Sequence, residues 1–275
     1  MARQLAARGF HVFVGARNAG AGHAAAEAIV KSGGRATFLK IDVADDANIT
    51  AAAREFSKGV NYLDVLVNNA GIITDGDHAI LEVSDELLRK TLETNTLGAL
   101  RVTRAFAPLL AKSKVPRVIN VSSGGGQLTG GADGWAPAYC ISKTALNGVT
   151  SQLAAALPKA AVNSVCPGCV RTDLGGRNAT RSVEEGANTI VWLATDAPQN
   201  LTGKFLRTIS DLDGGDMSPL SKAQTCPRTP NHSTSFHLLW SLSMISRRRR
   251  MGGMPWLSSS LWNFCNENSS PCCAL

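Results

Sequence analysis

A tyrosine and a lysine four residues apart, Tyr139 and Lys143, form the pair with the clearest chemical potential in the sequence. Residues at i and i+4 of a helix lie on the same face. An ammonium group near a phenol favours its ionised form and so lowers the phenol pKa from its usual value of about 10. Such a phenol can give a proton to a carbonyl oxygen or take one from an alcohol. The spacing alone is a weak pattern, and the alternative is a half-buried tyrosine beside a solvated lysine.

Four further groups of small or polar residues come directly at the ends of predicted strands. They are Asp42-Val43, Asn68-Asn-Ala-Gly71, Val121-Ser-Ser123 and Pro167-Gly168. Ligands of open α/β sheets bind outside the carboxyl ends of the strands, so these groups are expected at one ligand-binding edge. A serine hydroxyl there could hold a substrate oxygen as charge develops on it. Each group taken alone could also be an ordinary turn.

The elements that position these groups alternate regularly along residues 1–206. Short apolar runs predict strands at 11–15, 36–41, 63–67, 117–121 and 162–165, and helical patterns cover 18–32, 45–58, 84–110, 137–157 and 183–194. Continuous apolar strands that alternate with helices are typical of a parallel sheet covered on both faces. The sequence therefore predicts the α/β class with a doubly wound, Rossmann-like parallel sheet.

The character of the chain changes after Leu206. Residues 207–275 are rich in serine, contain four of the seven cysteines, and show no alternation of strands and helices. One apolar stretch, 236–245, interrupts this pattern. We expect two parts: a Rossmann domain at 1–206 and an irregular, disordered tail at 207–275.

The motifs, taken in order, resemble the classical short-chain dehydrogenase/reductase family and its NADP-dependent carbonyl reductases. The residues that carry the resemblance are Asn68-Asn-Ala-Gly71, Asn95, Val121-Ser-Ser123, Tyr139-x-x-x-Lys143 and Pro167-Gly168, and the match covers about residues 1–206. The resemblance implies hydride transfer between a nicotinamide cofactor and a small carbonyl or alcohol substrate.

The resemblance also implies a role for each matching residue. Tyr139 would be the general acid or base, and Lys143 would hold the nicotinamide ribose and lower the Tyr139 pKa. Ser123 would bind the substrate oxygen, and Asn95 would support a water-linked proton path to Lys143. The implied cofactor-binding set is Arg17, Asp42, Val43, Asn69, Ala70, Gly71, Tyr139, Lys143, Pro167, Gly168, Val170 and Thr172.

The choice between NADP(H) and NAD depends on the end of the strand at 11–15. In this fold an acidic residue after that strand holds the ribose 2′-hydroxyl, whereas an arginine accommodates a 2′-phosphate. The sequence there reads Gly15-Ala-Arg17-Asn18, and the next acidic residue is Glu27. This favours NADP(H); the alternative is a solvent-exposed arginine at the start of a helix.

The sequence departs from the family at both ends. Family members begin with a strand and a glycine-rich turn, Thr-Gly-x-x-x-Gly-x-Gly, but residues 1–8 already match the helix that follows this turn. In a 3-2-1-4-5-6 order the missing first strand is central, and the missing turn is the pyrophosphate cradle. We expect two neighbouring strands to lose their partner, because the apolar stretch 236–245 has no turn chemistry tying it to either of them.

These departures predict that the chain as written is poorly active or inactive. A vacant central position would leave buried backbone groups unpaired, and the summed cost would equal or exceed the free energy of unfolding of a typical domain. The alternative to an enzyme is therefore a non-catalytic, truncated relic that acts through its oligomer surface.

Composition and charge exclude several other classes. Residues 1–206 hold 21 basic and 17 acidic residues, an ordinary mixed surface that gives no sign of nucleic-acid binding. No apolar run approaches the ~20 residues needed to span a bilayer, and the amino terminus lacks a secretory signal, so no membrane association is expected. The seven cysteines lack paired spacing, which predicts free thiols and a cytoplasmic location. No metal site is expected, because the pair Cys166 and Cys169 has no ligand histidine or second pair beside it.

The resemblance finally implies self-association. In the family the two long helices that correspond to 84–110 and 137–157 form the contact of a homodimer or homotetramer. We expect apolar outer faces on these helices, with Leu97, Leu100, Val149 and Leu153 as candidates.

Overall fold

A computed structural model describes residues 1–74, 76–129, 131–132, 134–207 and 242–247. The strands are β1 (Phe10–Ala16), β2 (Arg35–Lys40), β3 (Val65–Asn68), β4 (Arg117–Val121), β5 (Ala161–Val165), β6 (Phe205–Leu206) and β7 (Leu242–Arg247). The α-helices are α1 (Ala2–Ala7), α2 (Ala19–Lys31), α3 (Asp46–Gly59), α4 (Asp85–Leu92), α5 (Gly98–Leu110), α6 (Pro137–Ala156) and α7 (Val183–Thr195). A five-residue π-helix, Glu93–Leu97, joins α4 to α5, and a 3₁₀ turn covers Gly124–Gly126.

The seven strands form one sheet in the order β2-β1-β7-β3-β4-β5-β6. Six of them run parallel, with helices on both faces, so the predicted α/β class and Rossmann-like doubly wound sheet are confirmed. The carboxyl ends of β1, β2, β3, β4 and β5 meet at one edge of the sheet, which we call the carboxyl edge.

The central position left by the absent first strand is occupied. β7 lies between β1 and β3 and pairs antiparallel with both; Ile245, for example, lies opposite Val12 on one side and Val65 on the other. The expectation that the apolar stretch would not fill this position is therefore wrong. The ladder satisfies the inner backbone groups of both neighbours, which removes the large cost predicted for them.

The antiparallel direction of β7 places its first residue, rather than its last, at the carboxyl edge. Its first residue, Leu242, lies opposite Gly15 at the carboxyl edge, and its last, Arg247, lies opposite Phe10 at the other edge. β7 falls inside the tail that the sequence predicted to be irregular; the remainder, 208–241 and 248–275, lies outside the described residues.

Two apolar clusters cover the two faces of the sheet. Alternation along each strand divides the side chains: Leu66 of β3 belongs to one cluster, whereas Val65 and Val67 belong to the other. The first cluster joins the sheet to α3, α5 and α6 and contains the ring of Phe56 in contact with a tilted Phe13 ring and an edge-on Phe106 ring. The second joins it to α1, α2 and α7.

The helical faces proposed for self-association are only partly available. Leu97 is 38% exposed, whereas Leu153 is 8% exposed and packs inside the first cluster. Leu100 and Val149 are partly buried against the same cluster. Leu153 was therefore wrongly assigned to an outer face, because helix α6 turns that position towards α3 and the sheet.

Candidate active site

Helix α6 places Lys143 under the carboxyl edge of the sheet. Its side chain is 3% exposed, and its Nζ donates a hydrogen bond of 2.9 Å to the backbone oxygen of Val121, the last residue of β4. The backbone around Lys143 lies so close to the 3₁₀ turn that a Cβ on Gly126 would come within 2.7 Å of it. Glycine at 126 therefore allows the turn to pack directly on the helix.

Burial changes the acidity of this lysine. Removal from water disfavours the ammonium form and lowers the pKa of Lys143 from 10.5 to about 8, while the nearby Cys166 acts in the opposite direction. An ammonium has three N–H donors, so the bond to Val121 leaves further donors for hydroxyl groups of a ligand.

Tyr139 lies one helical turn before Lys143 on α6. The lysine Nζ is 5.6 Å from the centre of the tyrosine ring, as the spacing of the pair predicted. The tyrosine is 5% exposed, and the Trp135 ring meets it edge to face with 5.7 Å between centres. Trp135 thus packs directly on the candidate acid.

The π-helix brings Asn95 into the same region. Its side-chain oxygen accepts from the backbone N–H of Ile72 at 2.7 Å, and its amide group donates to the Ile72 oxygen at 2.9 Å and to Ser142 Oγ at 3.0 Å. Wide π turns inside helices are frequent at functional sites. Here the turn lets one side chain join the segment after β3 to helix α6.

Gly71 lies between Asn95 and Lys143. A Cβ built on this glycine would be 3.3 Å from the lysine Nζ and 3.5 Å from the asparagine Oδ1. The absence of a side chain therefore keeps the approach to the ammonium group open. The predicted residues Asn69 and Ala70 precede it on the same turn, and both are partly buried.

The two serines after β4 have different surroundings. Ser122 is buried, and its Oγ donates a long bond of 3.4 Å to the Lys143 oxygen. Ser123 is only partly buried, and its Oγ accepts from the backbone N–H of Gly125 at 3.2 Å. The second serine of the pair is therefore the more accessible of the two.

The residues proposed for the adenosine end lie beyond β1 and β2. Arg17 follows β1 and is exposed, just before Asn18, whose side chain caps α2. Asp42 follows β2, and its Oδ1 accepts from Ala44 N at 3.0 Å. Val43 is buried, and a Cβ on Gly98 would come within 2.9 Å of its oxygen, so this loop packs closely on α5.

The segment after β5 is held by Arg181. The Arg181 guanidinium donates to the Pro167 oxygen at 3.1 Å, and it lies 3.1 Å from where a Cβ on Gly168 would be. Val170 forms a bridge with Arg181, and the Thr172 hydroxyl donates to the Val170 oxygen. The predicted residues of this segment therefore share one compact loop at the carboxyl edge.

Two features of the site were not predicted from the sequence. One is a buried polar chain in which Asn68 donates to Thr103 and to Asn120, and Asn120 donates to Thr150, which joins α5, β3, β4 and α6. The other is Asp77, whose carboxylate accepts two backbone N–H groups of α6. Neither has a local sequence pattern, since the partners are far apart in the chain.

The described residues fit one half of a nicotinamide dinucleotide better than the other. The open approach at Gly71, the buried ammonium of Lys143 and the hydroxyl of Ser123 suit a ribose and a reacting carbonyl. The pyrophosphate end is less well matched among the described residues, because β7, the strand between β1 and β3, has its carboxyl end at the opposite edge.

The cysteines differ in part from the expectation of free thiols. Cys140 and Cys166 are free, but Cys169 is disulfide-bonded, so the expectation is wrong for that residue. Within the described residues there is no group of three or more histidine, cysteine or acidic side chains that could hold a metal ion. No helix in the described part of the chain is both long and apolar enough to cross a bilayer.

A doubly wound sheet with a tyrosine and a buried lysine at its carboxyl edge defines a nucleotide-dependent oxidoreductase class. The family model described as short chain dehydrogenase matches residues 1–191. The chain is 34% identical over 252 residues to (+)-neomenthol dehydrogenase of Arabidopsis thaliana, covering 70% of this chain and 85% of the relative. It is 36% identical over 222 residues to short-chain dehydrogenase anuI of Penicillium roqueforti, covering 74% and 87%.

Solved structures agree with these relatives. An NADPH-bound carbonyl reductase from chicken fatty liver superposes with a TM-score of 0.62 at 27% identity, covering 71% of this chain and 84% of that one. The chain therefore belongs to the short-chain dehydrogenase family, whose members are oxidoreductases.

Proposed function

We propose that this oxidoreductase transfers a hydride between NADP(H) and a small carbonyl or alcohol substrate, with Tyr139 as the proton donor and acceptor. The observation that carries the proposal is the position of the Lys143 Nζ, which lies buried, 5.6 Å from the Tyr139 ring centre and directly beside Gly71. Burying an ammonium is costly, and its bond to Val121 leaves donors of Lys143 for the hydroxyl groups of a ligand.

The residues divide the work as follows. A bound nicotinamide ring would supply or accept the hydride. Lys143 would donate to the ribose hydroxyls and favour the ionised phenol of Tyr139 through its charge. Ser123 would hold the substrate oxygen, and Tyr139 would donate the proton to that oxygen during reduction.

Asn95 acts mainly through position in this proposal. The bonds from its side chain to Ile72 and Ser142 fix the turn at Gly71 against helix α6. Its proposed part in a water-linked proton path to Lys143 rests on the resemblance.

The remaining cofactor residues would contact the other parts of the dinucleotide. Asn69, Ala70 and Gly71 would lie along it, Asp42 and Val43 would meet the adenine, and Arg17 would pair with a 2′-phosphate. Pro167, Gly168, Val170 and Thr172 would line the nicotinamide end. The NADPH bound to the chicken carbonyl reductase supports the same cofactor here.

The proposal includes the setting of the enzyme. We propose a cytoplasmic homodimer or homotetramer, since family members commonly associate, with Leu97 as the exposed apolar residue of the helical face. We keep the division into a Rossmann domain at 1–206 and a tail at 207–275, with β7 as the part of the tail that completes the sheet.

A second function is favoured by one observation. β7 replaces the strand that would carry the glycine-rich turn, and it runs in the opposite direction. The second candidate is therefore a folded, non-catalytic relic that acts, if at all, through its oligomer surface. The two candidates differ in whether the chain binds the dinucleotide.

Titration with NADPH, followed by its fluorescence, separates them. The enzyme is expected to bind NADPH and to oxidise it when a small ketone or aldehyde is added. Because β7 has its carboxyl end at the edge opposite the site, we expect an affinity weaker than micromolar. No binding at millimolar NADPH would favour the relic.

A further inference from the structure

The helix that carries Tyr139 has no cap of its own. Helix α6 starts at Pro137, and the preceding residue, Ala136, has a methyl side chain that cannot accept a hydrogen bond. Ala136 also has φ of 42°, and among the described residues it alone combines a side chain with a positive φ. The first N–H groups of the helix must therefore find acceptors elsewhere.

Asp77 supplies both acceptors from a distant part of the chain. Its Oδ1 accepts from the Ala138 N–H at 2.8 Å, and its Oδ2 accepts from the Tyr139 N–H at 2.9 Å. The two partners of the second bond are 62 residues apart in the chain. The residue is 5% exposed, so the carboxylate is held by the helix rather than by water.

Asp77 belongs to the segment that begins at the cofactor turn. Ile72 follows Gly71, and Asn95 holds the Ile72 backbone. Asp77 comes five residues after Ile72 and bonds to the backbone of Tyr139 itself. Asn95 and Asp77 thus hold two points of the chain after β3 against helix α6.

We propose that Asp77 is a positioning residue that fixes the start of α6 and, through it, the phenol of Tyr139; this rests on the proposed function of that tyrosine. A negative charge at a helix N-terminus is favourable, and a carboxylate that accepts two backbone N–H groups fixes the direction of the helix axis. A displacement of the reacting group by about 1 Å is enough to lower turnover by about 100-fold.

A purely structural cap would behave differently. It would lower stability when removed, but a correctly folded variant would keep its kcat. A positioning residue instead lowers kcat in the folded fraction while the KM for NADPH changes little, because Asp77 bonds to Ala138 and Tyr139, whereas the Lys143 Nζ has its own anchor at Val121 one turn later.

The test compares Asp77→Ala and Asp77→Asn with Ser84→Ala. Ser84 caps α4, where its Oγ accepts from the Leu87 N–H at 3.2 Å, so its removal costs the cap of a helix other than the one that carries Tyr139. We expect Asp77→Ala to lower kcat by about 10- to 100-fold with a KM for NADPH within about threefold. Asp77→Asn keeps one acceptor oxygen and is expected to recover part of the kcat, and Ser84→Ala to keep all of it.

Two readouts need no turnover and separate this proposal from the proposed function. Amide hydrogen exchange at Ala138 and Tyr139 is expected to accelerate in Asp77→Ala and Asp77→Asn relative to the unaltered protein. The ring resonance of ¹³C-labelled Tyr139, assigned with Tyr62→Phe, is expected to shift in the Asp77 variants and to stay in place in Ser84→Ala.

The outcomes are distinct. Unchanged exchange and an unchanged Tyr139 resonance in a folded Asp77→Ala protein would overturn the proposal, whatever the activity. A kcat equal to that of the unaltered protein in folded Asp77→Ala would also overturn it. Loss of turnover in every protein, with the expected exchange and resonance changes, would support the cap and count against the proposed function alone.

Discussion

The ammonium nitrogen of Lys143 lies 2.9 Å from the backbone oxygen of Val121, where β4 ends beneath the site. This contact ties the most buried charge of the site to the middle of the sheet. It orients the lysine towards Gly71 and away from solvent, so its charge acts on whatever ligand lies along that turn.

The buried lysine should make stability depend on pH. Its pKa is about 8 in the folded chain and 10.5 when unfolded, so the unfolded chain holds more protons between these values. The free energy of unfolding should therefore rise with pH from about 8 to 10.5, by roughly 3 kcal/mol, whereas below about pH 8 both states hold the proton and the burial cost is fully present. Urea unfolding of the protein and of Lys143→Met at several pH values measures this dependence. If the free energy of unfolding changes equally with pH in the two proteins, the prediction is wrong.

Gly71→Ala should weaken cofactor binding. The new methyl group would lie 3.3 Å from the Lys143 Nζ and 3.5 Å from the Asn95 Oδ1, so it would crowd the open approach to the ammonium group. We expect the KM for NADPH to rise about tenfold. Gly59→Ala is the matched control, because a Cβ there meets nothing within 4 Å. Equal KM values for the two variants would show that the approach at Gly71 is not used.

Arg17 should decide between the two nicotinamide cofactors. Arg17→Ala is expected to raise the KM for NADPH while leaving that for NADH unchanged, because the 2′-phosphate that would meet this charge is present in NADPH and absent from NADH. Arg54→Ala, at an exposed position of α3, serves as the control. Tighter binding of NADH than NADPH to the unaltered chain would contradict the assignment.

β7 should be necessary for folding. A chain ending at residue 240 lacks the strand, which leaves the inner backbone groups of β1 and β3 unpaired at about 1–3 kcal/mol each, against a total stability of about 5–15 kcal/mol. A chain ending at residue 250 retains the strand and is the matched control. We expect the shorter chain to lose its cooperative thermal transition by circular dichroism and the longer one to keep it. A cooperative transition in both would contradict the role of β7.

Much of this molecule could be predicted from the sequence, because strands and strand-end motifs are local patterns. The predicted strand 117–121 matches β4, and Tyr139 and Lys143 lie on one helix as their spacing requires. β7 could not be predicted, since the sequence of the apolar stretch shows no turn chemistry that links it to either neighbour and its partners are set by the space between them. The role of Asp77 could not be predicted either, because this residue and Tyr139 are 62 residues apart and no local sequence motif connects them.

The exposed and buried sides of helices were predicted less well. Leu153 fits the apolar stripe of α6, but a stripe does not tell whether the partner is the sheet or a second subunit. In the structure Leu153 packs inside the first cluster, whereas Leu97 is 38% exposed.

The most direct test of the central claim is NADPH oxidation, dependent on a small ketone or aldehyde, by the unaltered chain and by Tyr139→Phe. The chain has two tyrosines, so Tyr62→Phe is the matched control. We expect Tyr139→Phe to lower kcat by at least about 100-fold while NADPH binding persists, because phenylalanine keeps the ring and lacks the proton. Tyr62→Phe should retain full activity. A near-normal rate in Tyr139→Phe, or no NADPH binding by the unaltered chain at millimolar concentration, would contradict the account.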